Sequence, residues 1–265
     1  MARFLCLAFA LLGAAPALAR GPAELPAGES GTVIEVVDGD TVILSTGTEV
    51  RMVGIQAPKL PLGRRGFEPW PLSEEARATL QALVRGRTFT VHFGGQRTDR
   101  HGRALAHLLA QDGTWLQGEM LRLGMARVYS FDDNRALVAE MLELERSARA
   151  GRFGIWSHPF YRILGPDDAG TRIGTFQVVE GTIVDAALLR GTVYLNFGAD
   201  WRTDFTVSIG RRAMAPFRAA GLEPETWNGR QVRVRGWLDQ RNGPMIEVTH
   251  PEQIELLDDR GQDDD

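Results

Sequence analysis

The side chains that could do chemistry gather in one stretch of the chain. Asp38 and Asp40 flank a glycine in Val36-Val37-Asp38-Gly39-Asp40-Thr41-Val42. Arg51 follows in Val50-Arg51-Met52-Val53-Gly54-Ile55-Gln56-Ala57-Pro58-Lys59. Arg97, Arg100, His101 and Arg103 crowd the segment Gly95-Gln96-Arg97-Thr98-Asp99-Arg100-His101-Gly102-Arg103. Lys59 is the one lysine among 30 basic residues. That skew reflects coding bias first, although arginine does suit bidentate contact with phosphate. His92 and His107 fall on predicted strands, where a single histidine is more often packed or exposed than catalytic. His101 lies in the loop before Arg103 and is a candidate substrate contact.

The elements that must position these groups follow from periodicity. Residues 32–37 are β-branched and end at the turn Asp38-Gly39, and 41–44 form a second strand. Residues 49–53 alternate, so Val50 and Met52 face a core while Arg51 faces away. Residues 72–85 read as a helix with Ala76, Leu80, Leu83 and Val84 on one face, Ser73 as its cap and Gly86 as its stop. Strands are expected at 88–93 and 104–109, and helices ending near Gly124 and Gly151. Arg122 and Glu145 read as an ion pair between those two helices.

Further along, 176–184, 192–197 and 204–209 read as strands, 211–220 as a helix with Met214 and Phe217 on one side, and 231–237 and 245–248 as strands. Five strands with a helix between the third and fourth is OB-fold connectivity, and it occurs twice. The expected fold is therefore mainly β with α: two OB-like five-stranded barrels, the first with appended helices. Such barrels commonly take oligonucleotides or oligosaccharides, although fold alone does not give function. Tyr194, Phe197, Trp201 and Phe205 are dense around one hairpin of the second barrel. Trp201 and Arg202 at its tip are either a stacking platform or core packing plus a domain-contact tryptophan.

Three blocks in order carry a resemblance: Asp38-Gly39-Asp40-Thr41 with the arginine strand after it, the segment ending at Arg103, and Gly124-Met125-Ala126-Arg127-Val128 with the closing Gly154-Ile155-Trp156-Ser157. In these the chain resembles the staphylococcal thermonuclease family over residues 31–157. The resemblance implies a thermonuclease-like OB domain and Ca²⁺-dependent hydrolysis of DNA and RNA phosphodiesters. Two carboxylates would hold the hard cation, a glutamate would act as general base, and two arginines would neutralise the phosphate. Asp40 matches the first metal carboxylate, and Arg51 and Arg103 match the phosphate arginines. Tyr129 and Phe131 fall near where family tyrosines contact the base, so Tyr129 is a candidate for stacking on a single strand.

The chain departs from the pattern where the family has Asp-Thr-Pro-Glu and this sequence has Gln56-Ala57-Pro58-Lys59. Gln56 can offer an amide oxygen and Ala57 a carbonyl to a metal, but an ammonium at Lys59 cannot accept a proton. A charge roughly 6 Å from a dication opposes it by about 5 kcal/mol at an effective dielectric of about 20, so Ca²⁺ is expected to bind poorly. Three readings stay open. Glu68 could substitute as base. Arg51, Lys59 and Arg103, with Arg64 and Arg65, could form an anion pocket without hydrolysis. Or slow hydrolysis could use an unassisted water. The competing functional class is a non-catalytic nucleic-acid- or anion-binding protein, or an envelope scaffold.

Composition bounds the rest. With 43% hydrophobic and 24% charged residues, the chain is globular in type. Residues 1–19, with basic Arg3, an apolar run and Ala17-Leu18-Ala19, read as a cleaved signal peptide. This implies a secreted or periplasmic protein with no membrane attachment after cleavage. Cleavage would remove Cys6, the single cysteine, and with it any disulfide, thiolate nucleophile or thiolate metal site. The mature chain divides into 28–164, a turn-rich linker at 165–171, 172–257, and an acidic tail at 258–265. The net charge of −4 comes from that tail, since 28–165 carries 17 cations against 16 acids. Nucleic acid, single-stranded DNA or RNA, is the expected partner. Edman sequencing of the exported protein is expected to begin at Arg20; a mature chain still carrying Met1 would show that the segment is retained.

Overall fold

A computed structural model describes residues 21–257. The signal-peptide and acidic-tail assignments, and Cys6, lie outside the described residues. The first unit contains β1 (Ala27–Asp38), β2 (Thr41–Leu44), β3 (Glu49–Met52), β4 (Gly54–Gln56), α1 (Ser73–Val84), β5 (Thr88–His92), β6 (Ala104–Ala110), α2 (Leu116–Arg122), β7 (Arg127–Tyr129) and α3 (Val138–Ala150). The pairing order β1-β2-β3-β6-β5 closes a barrel. β3 and β6 are parallel and the other neighbours antiparallel.

Alternation fills this barrel. Val42, Leu44, Val50, Met52, Phe89, Val91, Ala106 and Leu108 are buried inside it, each large one worth about 1.5–3 kcal/mol over exposure. α1 packs Ala76, Leu80 and Val84 against the same core. Its N-cap is Leu72, at φ 65°, and Ser73 is the first helical residue, so the expected serine cap does not form. β4 and β7 pair with each other as a small ribbon beside the barrel. Periodicity missed this ribbon because three-residue strands carry too little alternation.

The second unit contains β8 (Phe176–Thr182), β9 (Asp185–Leu189), β10 (Thr192–Asn196), β11 (Thr206–Ile209), α4 (Met214–Ala219), β12 (Gln231–Arg241), β13 (Gly243–Val248) and β14 (Ile254–Leu256). The stretch expected as one strand over 176–184 ends at Thr182, and the chain bends through Ile183 into β9. β8 pairs with β12, and β9 with β10. Counted as one bent strand, β8–β9 closes the same circuit as the first barrel, including a parallel pair, here β11 with β13. Residues 166–172, within and beside the expected linker, form a 3-10 helix with Ala169 buried. No helix among the described residues is long and apolar enough to cross a membrane.

Buried charge fastens the units together. Glu145 on α3 does not meet Arg122, which pairs with Glu119 one turn away. Instead both Glu145 oxygens accept from Arg235 on β12 at 3.0 Å, and Arg235 also donates to Glu255 at 2.7 Å. Arg149 adds a second cation between the same two glutamates. Arg235 and Glu145 are fully or almost fully enclosed. Burial opposes ionisation of Glu255, but Arg235, Arg149 and Arg233 outweigh it and hold its carboxyl at about 2. Breaking a buried pair strands its partner's charge at a cost of about 3–5 kcal/mol. Arg235→Ala is therefore expected to lower the free energy of urea unfolding by that amount. Arg241→Ala, which removes an exposed pair with Glu247, should change it by less than about 1 kcal/mol. Equal losses would show that the buried network contributes no more than a surface pair.

Candidate functional site

Asp40 sits at the tight connection between β1 and β2 and is completely buried. The connection presses so closely on its neighbours that a Cβ on Gly39 would lie 2.6 Å from the Ala57 Cβ and 2.9 Å from that of Ala76. Small residues at 39, 57 and 76 thus bring the Asp40 turn, the segment after β4 and α1 together. Asp38 orients the turn by accepting from the Asp40 amide at 3.0 Å.

Besides the Thr41 hydroxyl, which donates to Oδ1 at 3.4 Å, three groups converge on the Asp40 carboxylate. The Ala57 amide donates to Oδ2 at 2.7 Å. Lys59 Nζ lies 2.7 Å from both Oδ1 and Oδ2 and 3.4 Å from Asp38 Oδ2. Arg51 approaches Oδ2 at 3.4 Å. Burial disfavours the charge on Asp40, but Arg51 and Lys59 overcome this and hold its carboxyl at about 2. Asp38 is pushed the other way, up from the ordinary carboxylate value, by burial and by the charge on Asp40.

Arg51 is anchored as well as charged. It donates to the carbonyls of Met52 at 2.6 Å and Ile55 at 2.7 Å, which fixes it on the wall of a cleft of about 660 Å³. Arg103, His101, Tyr129 and Phe131 line the same cleft. Arg103 is held by Asp99, with Nε at 2.8 Å and Nη2 at 2.7 Å from Oδ2. Tyr129 accepts from Trp237 Nε1 at 3.0 Å and packs edge-on against Phe131 and Phe176. His101 receives a hydrogen bond from Arg100.

Other expected participants lie elsewhere. Gln56 is turned to Arg127, whose Nε and Nη2 donate to its amide oxygen at 3.1 and 2.7 Å. The same guanidinium donates to the Phe176 carbonyl at 3.0 Å. Ala57 meets Asp40 through its N–H. Glu68 is exposed on the loop between β4 and α1 and does not line the cleft. Arg64 donates to the carbonyls of Leu60 and Pro61 and stacks on Phe67, and neither it nor Arg65 lines the cleft. His107 is buried, and burial takes it down to about 4, so it stays neutral as packing. Sequence reasoning missed Asp99 and Arg127. The Asp99–Arg103 spacing across a turn was a usable signal, and so was an arginine inside an otherwise apolar strand.

A hard cation does not fit these residues. Both oxygens of Asp40 face an ammonium, and the Gln56 oxygen is engaged by a guanidinium. Among the described residues no three His, Cys, Asp or Glu side chains gather as a metal site. What remains is a cleft with two anchored arginines and an aromatic wall, lined also by Asp99, Asp132 and Asp133, beside a buried carboxylate neutralised internally.

A family model for staphylococcal nuclease homologues matches residues 49–158. Over 170 residues the chain is 34% identical to Protein ParB of Escherichia coli, covering 57% of this chain and 86% of that protein. It is 28% identical over 149 residues to an uncharacterized protein of Methanocaldococcus jannaschii, 48% of this chain and 71% of that one. A probable staphylococcal-like nuclease, CAN1 of Oryza sativa subsp. japonica, is 30% identical over 115 residues, 43% of this chain and 30% of that protein.

The Lys59–Asp40 pair has a signature in acid. A carboxyl lowered from 3.8 to about 2 stabilises the fold above the unfolded value, and that stability is lost as pH falls through the folded one. The loss is about 2 kcal/mol between roughly pH 4 and pH 2. In Lys59→Met the Asp40 carboxyl moves back toward its ordinary value. Urea unfolding at pH 5, 3.5 and 2.5 should then show a shallower acid loss than wild type. Parallel profiles would mean that Lys59 does not hold Asp40 ionised.

Proposed function

The chain belongs to the staphylococcal nuclease homologue family, and on that premise we propose that it is an exported protein whose first barrel engages nucleic-acid phosphodiesters without calcium. The observation that carries this reading is Lys59 Nζ at 2.7 Å from both oxygens of Asp40. The positive charge that the family resemblance assigns to Ca²⁺ is here part of the chain.

The remaining groups have roles that follow from their geometry. Arg51 and Arg103 present fixed positive charge to a strand lying in the cleft, and fixed donors cost no reorganisation when a phosphate arrives. Tyr129 and Phe131 offer aromatic surface to a base. His101 sits beside Arg103 on the same wall. No glutamate stands at position 59 to act as the base that the resemblance implies: Asp40 is enclosed by its donors, Asp99 is engaged by Arg103, Glu68 is outside the cleft, and the acids that remain in it, Asp132 and Asp133, lie on the loop after β7. Loss of general-base assistance alone removes about 10²–10⁴-fold in rate, so strand binding is the dominant activity and any hydrolysis is slow.

The test is single-stranded DNA on a gel, with Ca²⁺ and with EGTA. Wild type is expected to leave the strand intact or nick it slowly, at the same rate in both conditions. Ca²⁺-stimulated cleavage of 10-fold or more would overturn the internal-cation reading. In EGTA, Arg103→Ala should weaken retention of the strand by at least about 10-fold, the loss of a charge-assisted phosphate contact. Unchanged retention would take nucleic acid out of this cleft and leave the scaffold reading.

A further inference from the structure

A second groove lies on the outer face of the second barrel. Its floor is the outward row of β10, Thr192, Tyr194 and Asn196, while Val193 and Leu195 point into the core. The groove has a volume of about 730 Å³. Leu189 and Arg190 of the β9–β10 turn bound one end, and Asn242 of the β12–β13 turn lies at the other. This is the face of the second and third barrel strands, flanked by the first-to-second and fourth-to-fifth connections, where OB barrels take their ligands.

The walls are built rigidly. Arg190 and Gly191 have φ of 52° and 86°, the signature of a two-residue hairpin turn with both central residues left-handed. At the other end, Gly243 packs so tightly on the β10–β11 loop that a Cβ there would lie 2.3 Å from the Asp204 carbonyl. That loop carries Trp201, which lines the groove and is 51% exposed. The Arg202 guanidinium lies 4.4 Å from the centre of the Trp201 ring.

Charge selects the ligand class. No ion pair among the described residues engages Arg190, Arg211 or Arg212, and the Arg211 side chain lies against Gly191. The groove's own acid, Asp185, accepts from the Asn196 amide at 3.3 Å. Arg190 in one end of the groove, with Arg211 beside it against Gly191, and an exposed indole at the other match a strand with a phosphate backbone and flat bases. An uncharged glycan would leave the arginines unused, and free phosphate would leave the tryptophan unused.

We infer that the groove of the second barrel binds single-stranded nucleic acid, with a base stacked on Trp201 and phosphates at Arg190 and Arg211. This is a site separate from the first-barrel cleft, built on different residues and requiring neither Asp40 nor Lys59. The footprint is about four nucleotides, the lower end of the range for such barrels.

The experiment is anisotropy of fluorescein-labelled (dT)20 on the full mature chain in EDTA, from 25 to 200 mM salt. Stacking is worth about 1–3 kcal/mol per base, so Trp201→Ala is expected to raise Kd by at least about 5-fold. Arg190→Ser/Arg211→Ser should reduce the slope of log Kd against log salt by about 1.4, since each phosphate contact on a single strand contributes about 0.7. All these side chains are at the surface, and circular dichroism checks that each variant is folded. Chitohexaose, an uncharged oligosaccharide, should not displace the strand. Unchanged Kd and slope in both groove variants, with a weakened Arg103→Ala, would overturn this inference and leave the first-barrel reading standing. The converse pattern would overturn the first-barrel reading alone. Displacement by chitohexaose, or no binding by wild type at 25 mM salt, would overturn the assignment of nucleic acid to this groove.

Discussion

A carboxylate without water must be matched by positive charge and donors, and Asp40 imposes that demand on everything around it. Its enclosure follows from small residues at 39, 57 and 76, which let the turn, the loop and α1 close over it. Once closed, the pocket needs the Ala57 amide, the Lys59 ammonium and the Arg51 guanidinium together. Removing one leaves a desolvated charge partly unmatched, which costs far more than losing an exposed pair. A mobile divalent ion and a tethered ammonium are two solutions to the same electrostatic problem, and only one can occupy the carboxylate at a time.

The second solution has consequences along the chain. With Lys59 satisfying Asp40, position 56 has no need of a carboxylate, and its amide oxygen serves Arg127 instead. Arg127 then reaches the Phe176 carbonyl, so the partner of Gln56 takes part in joining the barrels. Tyr129, two residues on, does the same through Trp237. β7 is thus both a wall of the first cleft and a seam to the second barrel, and a change on one side is felt on the other.

Much of the fold was legible because it rests on local periodicity. The alternation of Val50, Arg51 and Met52 gives the inward and outward faces of β3, and the apolar stripe of α1 gives its packing. The family likeness, read from three short blocks, located the cleft arginines Arg51 and Arg103. What was not legible depends on distant partners. Glu145 lies on the buried side of α3 because Arg235, 90 residues later, meets it there; with only the helices in view, Arg122 was the nearest plausible cation. Lys59 could be read as hostile to a cation, but its seat on Asp40 depends on how closely the loop after β4 approaches the β1–β2 turn. The break between β8 and β9 was hidden because both halves have strand-like sequence. The bend is made at Ile183, whose amide and carbonyl pair with Arg230 and Gly229.

The buried network at the seam also constrains the order in which the chain can become native. Glu145 and Arg149 belong to the first unit, yet the groups that complete them, Arg235 and Glu255, are near the end. During synthesis the first barrel emerges while its interior glutamate is matched only by Arg149 and the Val128 amide, without Arg235. α3 must stay loosely docked, or hydrated on that face, until about a hundred further residues have followed. Final consolidation of the first barrel is therefore a late and non-local event, governed by the arrival of β12 rather than by the barrel's own strands.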